Sequence, residues 1–258
     1  MNQVSTQELA DWLDATLQPQ RFKDYCPNGL QVEGKASIRH IITGVTASQA
    51  LLEAAIARGA DAILVHHGWF WKNENPCVRG PKRKRLTLAL QNELNVFAYH
   101  LPLDAHPILG NNAQLGRVLD LEVDRDAEGN PIVCGPDGLV WLGRCKVPQS
   151  LEQLGRSICN ALQRAPLIVG NSQQQIQRVA WCTGGAQSML EAAVAAGADV
   201  YITGEASEPS FHLAQETGTS FIAAGHHATE RYGVQALGKA IENKFGIRVD
   251  FIDLDNPI

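Results

Sequence analysis

The stretch QALLEAAIARGADAILVHHG, residues 49–68, decides the fold, because a close copy of it, QSMLEAAVAAGADVYITGEA, occupies residues 187–206. In both copies apolar residues recur at spacings of three and four, which predicts a helix with one buried face. Gly59 and Gly197 follow at the position of a helix C-cap, and a short run of β-prone residues comes next. Each copy therefore predicts a helix, a glycine stop and a strand.

A second pair of matching phrases follows the first. NVFAYHLPLD, residues 95–104, comes after the first copy, and FIAAGHHATE, residues 221–230, comes after the second. Both begin as a β-prone run and end in His-x-x-x-Asp or His-x-x-x-Glu. Two likenesses in the same order indicate a duplication, and the alternation of strands with helices predicts an α/β fold built from two layered halves.

A segment rich in Gly, Pro and Asp, DRDAEGNPIVCGPDG at residues 124–138, separates the halves. The predicted domains are residues 1–124 for the first α/β half and residues 125–258 for the second. Other predicted elements are a capping box at Ser5 to Glu8, strands near His40 to Val45 and near Gln177 to Cys182, helices after Asn111 and Ser150, and a long helix from about Thr229.

The composition is that of a folded protein, with 258 residues, 45% hydrophobic and 19% charged. A net charge of -5 disfavours binding to nucleic acid by bulk charge, although a local basic patch remains open. The N-terminus lacks the features of a secretory signal, and no run approaches the ~20 apolar residues of a membrane span, which predicts a cytoplasmic protein. The 6 scattered cysteines predict reduced, mostly buried thiols.

Histidines and carboxylates stand at the ends of the predicted strands, where ligands usually bind in open α/β sheets. Imidazole and carboxylate groups suit divalent iron, zinc, manganese, cobalt or nickel. Six such groups exceed the needs of one ion, so they could hold two ions ~3.5 to 4 Å apart. The candidate metal ligands are His66, His67, His100 and Asp104 in the first half and His226 and Glu230 in the second.

One geometric condition applies to the histidine pair. Adjacent residues of a strand point to opposite faces, so His66 and His67 can face one site only if the strand ends there. Glu205 matches His67 in the repeat and is the candidate catalytic residue, either as a general base or as a group that holds a ligand in place. His106 and His227 lack the support of the repeat, and we interpret them as ordinary residues.

Two groups of residues after the histidine pair are candidates for substrate binding. Arg79 begins a basic stretch that could hold a phosphate, although a solvated loop and helix start explain the same residues. Trp69, with its neighbours Phe70 and Trp71, could stack on a heterocycle or simply pack in a core or subunit interface. Further candidates are Lys82, Arg83, Lys84 and Arg85 for the phosphate, Asn28 and Gln31 as lining residues, and the glycines of CTGGAQS, residues 182–188, as a weak anion-binding feature.

The chain resembles the Nif three-like family, whose bacterial members of the YbgI type are often labelled GTP cyclohydrolase type two homologues. The likeness runs from about Tyr25 to the C-terminus and weakens between about Asp120 and Arg178. It rests on the segments YCPNGLQVEG, TGVTASQALLEAAIARGADAILVHHG, HLPLDAHPILGNN, CTGGAQS, ITGEASE and AAGHHATERYGV.

The resemblance implies a duplicated α/β fold, a dinuclear metal centre between the two halves, and a ring-shaped homohexamer. The family's ligand positions fall on residues that the repeat already singled out: His66, His67, His100, Asp104, His226 and Glu230. The metal differs among members of the family.

Two classes of function follow for such a site. The leading hypothesis is a metal-dependent hydrolase that acts on a nucleotide or related heterocycle, through cyclohydrolase or phosphoesterase chemistry. The alternative is a non-catalytic protein, either a metal chaperone or a ring-shaped scaffold for a partner. A third hypothesis, binding of single-stranded nucleic acid through the basic stretch, predicts an affinity that falls steeply with salt.

Overall fold

A computed structural model describes residues 2–258, and in it the chain forms two compact units. The first unit contains the residues up to Gly110 together with Gly233–Asp255, and the second contains Asn111–Tyr232 together with Asn256–Ile258. The division predicted at residue 124 differs from this arrangement. The first unit ends earlier than predicted, and the chain returns to it near the C-terminus.

Strands and helices alternate along most of the chain. The strands are β1 Val4–Ser5, β2 Gly29–Val32, β3 Ser37–Ile38, β4 His40–Thr46, β5 Ala62–His67, β6 Asn95–Ala98, β7 Leu121–Val123, β8 Val133–Cys134, β9 Val140–Ser150, β10 Leu167–Val169, β11 Gln175–Trp181, β12 Val200–Thr203, β13 Ser220–Ala223 and β14 Arg248–Phe251. The helices are α1 Thr6–Leu17, α2 Gln49–Ala57, α3 Gly80–Gln91, α4 Leu101–Ala105, α5 Asn111–Val118, α6 Leu151–Leu162, α7 Leu190–Ala195, α8 Glu208–Thr217 and α9 His226–Phe245. Within the described residues, no helix combines the length and apolar character that a membrane span requires.

The first unit is built on a 5-stranded sheet in the order β14-β4-β5-β6-β2. Strands β14, β4, β5 and β6 are parallel, and β2 lies antiparallel to β6. The chain returns to this unit because Arg248 of β14 pairs with His40 of β4, while Val234, Leu237 and Ile241 of α9 are fully buried in its core. A pairing between such distant parts of the chain leaves no local sequence pattern, which is why the predicted boundary missed it.

The second unit is built on a sheet in the order β10-β13-β12-β11-β9-β7, with β8 paired to β9. Strands β11, β12 and β13 are parallel, and the outer strands are antiparallel to their neighbours. Residues 124–138, predicted as the segment between the halves, fold back onto this sheet through β8 and a bridge between Arg125 and Pro131. The glycines and prolines of this segment therefore mark turns inside the second unit.

The duplicated α/β architecture predicted from the repeat is confirmed. The order β4-α2-β5-α3-β6 in the first unit recurs as β11-α7-β12-α8-β13 in the second, and the strands of each set are parallel. Gly59 has φ +67 and Gly197 has φ +71. These left-handed conformations end α2 and α7 and favour glycine because it has no Cβ to clash.

An aspartate completes each repeat. Asp61 and Asp199 both follow the glycine stop, and Oδ2 of each accepts two backbone N–H groups from the neighbouring strand or its approach. Carboxylates that accept several hydrogen bonds are strong acceptors and hold the entry of one strand against the next. The backbone donors are Arg39 and His40 for Asp61, and Gln177 and Arg178 for Asp199.

The predicted cap at Ser5 and the predicted helix after Ser150 are both present, whereas the last long helix begins earlier than predicted. The Ser5 hydroxyl accepts the N–H of Glu8 at 3.1 Å at the start of α1, and Ser150 forms a full capping box at the start of α6. The last long helix begins at His226 rather than near Thr229. This earlier start brings His226 into the first turn of α9, four residues before the carboxylate that shares its helix face.

Candidate metal centre

His66 and His67 are the last two residues of β5, and the strand ends at His67 as the sequence analysis required. Successive residues of a regular strand point to opposite faces, yet at this strand end the two ring centroids lie 4.5 Å apart. Each ring is held by a neighbouring strand. His66 Nδ1 contacts the carbonyl oxygen of Tyr99 at 3.0 Å, and His67 Nδ1 contacts Thr46 Oγ1 at 3.2 Å.

His100 follows β6 and caps α4, and Asp104 lies within the first turn of that helix. The Nδ1 atom of His100 lies 2.7 Å from Oδ1 of Asp24, so the ring is fixed by a carboxylate. Asp104 is 6% exposed, and its Oδ1 lies 3.4 Å from Nε2 of His66. A buried carboxylate is costly without a cationic or hydrogen-bonding partner, and this one faces the histidines.

The three histidines of the first unit converge. One ring nitrogen of each of His66, His67 and His100 lies within 4.8 Å of the others, and the His100 centroid is 5.1 Å and 5.7 Å from those of His66 and His67. Nδ1 of each ring is engaged by a partner, so Nε2 is the ring nitrogen left to face a metal. Three imidazoles with the carboxylate of Asp104 fit a divalent transition-metal ion by donor type.

The second unit places two carboxylates around one imidazole. His226 Nδ1 lies 2.6 Å from Glu205 Oε1, and His226 Nε2 lies 3.2 Å from Oε2 of Glu230, which is 3% exposed. Burial alone lowers the pKa of His226, but the hydrogen bonds and charges of Glu230 and then Glu205 raise it to about 9. A site that attracts a proton so strongly is one where a divalent cation can replace that proton.

The two glycines of the segment CTGGAQS lie against these carboxylates rather than at an anion site. A Cβ on Gly184 would lie 2.0 Å from Glu230 Oε1, and the residue has φ +69. Its backbone N–H donates to Thr229 Oγ1 at 3.0 Å, which fixes the loop to α9. Two residues beyond Gly185, Gln187 donates from Nε2 to Oε2 of Glu205 at 3.4 Å. The segment therefore seats Glu230 and supports Glu205.

Of the adjacent aromatic residues, Trp71 is the one beside the histidines. Trp69, the residue predicted to bind substrate, is 5% exposed, and its indole N–H donates to the carbonyl of Ala47 at 2.8 Å. A buried ring of this kind offers no face to a heterocycle. The partly exposed ring of Trp71 has its centroid 5.1 Å from that of His100 and 6.1 Å from that of His67.

The basic stretch begins α3. Arg79 is exposed at the N-cap of this helix, so its predicted role in phosphate binding stays a prediction. Lys82 already has partners, since its Nζ donates to the carbonyl of Asn75 at 3.1 Å and lies 3.4 Å from Glu74 Oε1. It also lies 5.5 Å from the ring centroid of Phe70. These contacts fasten the loop after the histidine pair to α3.

No sequence pattern pointed to Asp24, which lies directly before the segment YCPNGLQVEG. Burial raises the pKa of Asp24, but hydrogen bonds from His100, Asn28 and the Tyr25 backbone outweigh it and lower the pKa to about 2. Asn28, predicted only as a lining residue, also accepts the backbone N–H of His100 at 2.7 Å. A lone aspartate in a loop carries no pattern that could have pointed to a histidine 76 residues away.

Comparisons with known proteins agree over nearly the whole chain. A family model described as Duf34/NIF3 (NGG1p interacting factor 3) matches residues 4–257. The chain is 52% identical over 255 residues to a Pseudomonas aeruginosa protein named GTP cyclohydrolase 1 type 2 homolog, which covers 98% of this chain and 99% of that one. A protein of the same name from Vibrio cholerae is 49% identical over 260 residues, covering 100% of both.

Solved structures show the same fold. The protein ybgI, described as of unknown function, matches with a TM-score of 0.92 and 46% identity over 99% of this chain and 100% of that one. The protein TTHA1606 from Thermus thermophilus matches with a TM-score of 0.85 and 32% identity, again over 99% and 100% of the two chains. Both likenesses include the segments that carry the candidate ligands.

Proposed function

Because the chain belongs to the Duf34/NIF3 family, we propose that it holds two divalent metal ions and uses them to hydrolyse a nucleotide or a related heterocycle. The observation that carries this proposal is the convergence of His66, His67 and His100, each with its Nδ1 atom engaged by a partner. Such an arrangement is typical of metal ligands whose orientation is fixed by a second group.

The proposed ligands are His66, His67, His100 and Asp104 from the first unit and His226 and Glu230 from the second. Mixed imidazole and carboxylate donors suit iron, zinc, manganese, cobalt or nickel, and carboxylates can bridge two ions. Divalent ions held there would supply an activated water and would stabilise the negative charge that develops during hydrolysis.

Glu205 is proposed to orient His226. Its Oε1 atom lies 2.6 Å from His226 Nδ1, which holds this nitrogen and leaves Nε2 for the metal side of the ring. Its Oε2 atom receives only a long hydrogen bond from Gln187, at 3.4 Å among the described contacts, and the side chain is 37% exposed. That oxygen is therefore the one that can accept a proton as a general base.

The heterocyclic substrate is supported by Trp71 and by the names of the relatives. An indole ring beside the histidines offers a flat, partly exposed surface on which a purine or pterin can stack. Relatives at 52% and 49% identity are named GTP cyclohydrolase 1 type 2 homolog. The exposed Arg79 at the start of α3 is the proposed partner for a substrate phosphate.

The first experiment is elemental analysis of protein purified without chelator, reported as metal per chain. We expect about two ions per chain, falling to about one or fewer in Glu230→Ala and in His100→Ala. His212→Ala is the matched control, because His212 is an exposed histidine of the second unit that pairs with Glu208 on α8. One ion or none in the unaltered protein, unchanged by added metal, would contradict the two-metal proposal.

Measuring turnover distinguishes a hydrolase from a non-catalytic scaffold. Guanine nucleotides and pterins are incubated with metal-loaded protein, and products are separated by liquid chromatography. We expect turnover that is lost in Asp104→Ala and in Glu230→Ala. Metal-loaded protein that turns over none of these compounds and exchanges its ions readily would support the alternative of a non-catalytic metal chaperone or scaffold.

We also propose assembly into a ring-shaped homohexamer, as the family resemblance implies. The chain has a mass of 28.0 kDa, so light scattering on the eluting protein should give about six chain masses. A monomeric mass across the accessible concentration range would refute this part of the proposal without affecting the metal site.

A further inference from the structure

We propose that Asp24 is the positioning residue for His100, and that it sets the tautomer and the orientation with which this histidine meets a metal. The inference rests on the proposed metal site, because His100 is one of its ligands. It assigns a role to a residue that no sequence pattern identified. The role is separate from that of the ligands, since Asp24 acts only through His100 and the start of α4.

Each carboxylate oxygen of Asp24 accepts two hydrogen bonds. Oδ1 receives hydrogen bonds from the Tyr25 N–H at 2.6 Å and from His100 Nδ1 at 2.7 Å. Oδ2 receives them from Asn28 Nδ2 at 2.9 Å and from the Leu101 N–H at 2.9 Å. The side chain is only 3% exposed, so water does not compete for these oxygens. Four donors around one buried carboxylate fix its position.

The carboxylate determines which nitrogen of His100 carries a proton. An ionised aspartate can only accept, so His100 must donate from Nδ1, and the lone pair then lies on Nε2. The partner of His67 is the Thr46 hydroxyl, which can donate or accept and imposes no tautomer. The partner of His66 is the neutral carbonyl of Tyr99. Among the printed Nδ1 contacts of these three rings, that of His100 is the one made to a carboxylate. A charged acceptor at Nδ1 makes the imidazole a stronger ligand for a metal at Nε2.

Asp24 and Cys26 lie close enough to His100 to resemble a separate metal site, but their chemistry argues against one. Ligand atoms of the three residues lie within 4.8 Å of one another. Every oxygen of Asp24 already accepts two hydrogen bonds, and burial, followed by the charge of Asp24, raises the pKa of the Cys26 thiol to about 12. A thiol that stays protonated is a poor metal ligand. The aspartate therefore serves the histidine.

The same loop also holds the backbone that carries two ligands. The Leu101 N–H at the start of α4 donates to Asp24, and the His100 N–H donates to Asn28 Oδ1 at 2.7 Å. Asp104 lies one turn further along α4, and its N–H bonds to the carbonyl of His100 at 3.1 Å. Fixing the first residues of this short helix therefore fixes the direction from which both His100 and Asp104 project.

The test compares Asp24→Asn with Asp61→Asn. An asparagine at position 24 can direct its oxygen to only one of the two donor pairs, so its amide N–H₂ must face the other pair. Asp61 is the matched control, because it is an aspartate of the same unit that accepts two backbone N–H groups and the Lys35 ammonium, and no histidine ring. A loss of metal affinity caused only by removing a buried carboxylate would appear in both variants.

The first readout needs no metal, and its main result comes from the unaltered protein. Nitrogen-15 NMR of the histidine rings in metal-free protein at about pH 8.5, above the reference imidazole pKa of about 6.5, reports the tautomer of each ring. We expect His100 with its proton on Nδ1, and a shift of its ring signals in Asp24→Asn but not in Asp61→Asn. A His100 ring protonated on Nε2 in the unaltered protein would overturn the proposal even if the variants failed to fold.

The second readout is metal affinity, measured by competition with a chelator using zinc alone. We expect Asp24→Asn to bind zinc about 10- to 100-fold more weakly than the unaltered protein, with Asp61→Asn unchanged. Equal affinity in all three proteins would refute the role of Asp24 while leaving the metal site in place. If the unaltered protein binds neither zinc nor iron, manganese, cobalt or nickel, the proposed function fails, and the NMR measurement still decides whether Asp24 sets the tautomer of His100.

Discussion

Replacement of Gly184 by alanine should displace the carboxylate of Glu230. The added Cβ would lie 2.0 Å from Glu230 Oε1, 3.0 Å from its carboxylate carbon and 3.1 Å from His226 Nε2. The loop cannot retreat easily, because the Gly184 carbonyl accepts the N–H of Gly204 at 2.8 Å and its own N–H donates to Thr229 Oγ1 at 3.0 Å. The side chain of Glu230 must therefore move.

The expected loss of metal affinity follows from these distances. Carbon and oxygen atoms in proteins essentially never approach closer than 3.0 Å at a Cβ, so the oxygen 2.0 Å away must move by roughly 1 Å. Metal–ligand distances tolerate deviations of only about 0.2 Å. We therefore expect metal affinity to fall by about 100-fold, which corresponds to about 2.7 kcal/mol. The left-handed φ of +69 adds about 1 kcal/mol of destabilisation for a residue with a side chain.

Gly185→Ala is the control for this variant. It adds the same methyl group at the next residue, where the nearest atoms are His226 Cε1 at 3.5 Å and the Glu205 carboxylate carbon at 3.6 Å. These are ordinary contacts, so metal binding should change little. Chelator competition gives the affinity, and thermal unfolding of metal-free protein gives the stability. If Gly184→Ala binds metal as tightly as Gly185→Ala, the loop does not seat Glu230 and the reasoning is refuted.

Three further outcomes are expected. Binding of Cu²⁺ should quench tryptophan fluorescence, and Trp71→Phe should remove most of that quench, because the Trp71 ring centroid lies 5.1 Å from that of the proposed ligand His100. An undiminished quench in Trp71→Phe would contradict a metal site beside Trp71. At about pH 8 a thiol reagent should label the exposed Cys77 and spare Cys26, whose buried thiol has its pKa raised to about 12, until the protein unfolds. Asp61→Ala and Asp199→Ala should each lower the free energy of unfolding by about 2 kcal/mol in denaturant titrations. Burial raises the pKa of Asp61, but its hydrogen bonds lower it overall. The stability that the ionised carboxylate contributes is therefore present above its unfolded-state pKa of about 3.9 and is lost as the pH falls through the lower folded-state pKa. In acid, Asp61→Ala and the unaltered protein should therefore have similar free energies of unfolding.

The sequence by itself determined the duplicated α/β architecture and the positions of the candidate ligands. Both are local properties: apolar spacing, a glycine stop and a β-prone run predict helix, turn and strand, and strand ends are where polar side chains gather. The repeat made these local signals reliable, since each half supported the reading of the other. It also led to His66 and His67, whose strand ends at the pair as required.

Only the tertiary structure decided which distant residues support those ligands and where the chain is divided. The pairing of β14 with β4 returns residues 233–255 to the first unit, and Asp24 reaches a histidine 76 residues away. The requirement for glycine at position 184 comes from the Glu230 carboxylate that it faces. Trp69 and Trp71 differ because the Trp69 ring is buried and the Trp71 ring is partly exposed. Such contacts depend on how sheets and loops pack, and packing between distant segments leaves no periodic trace in a single sequence.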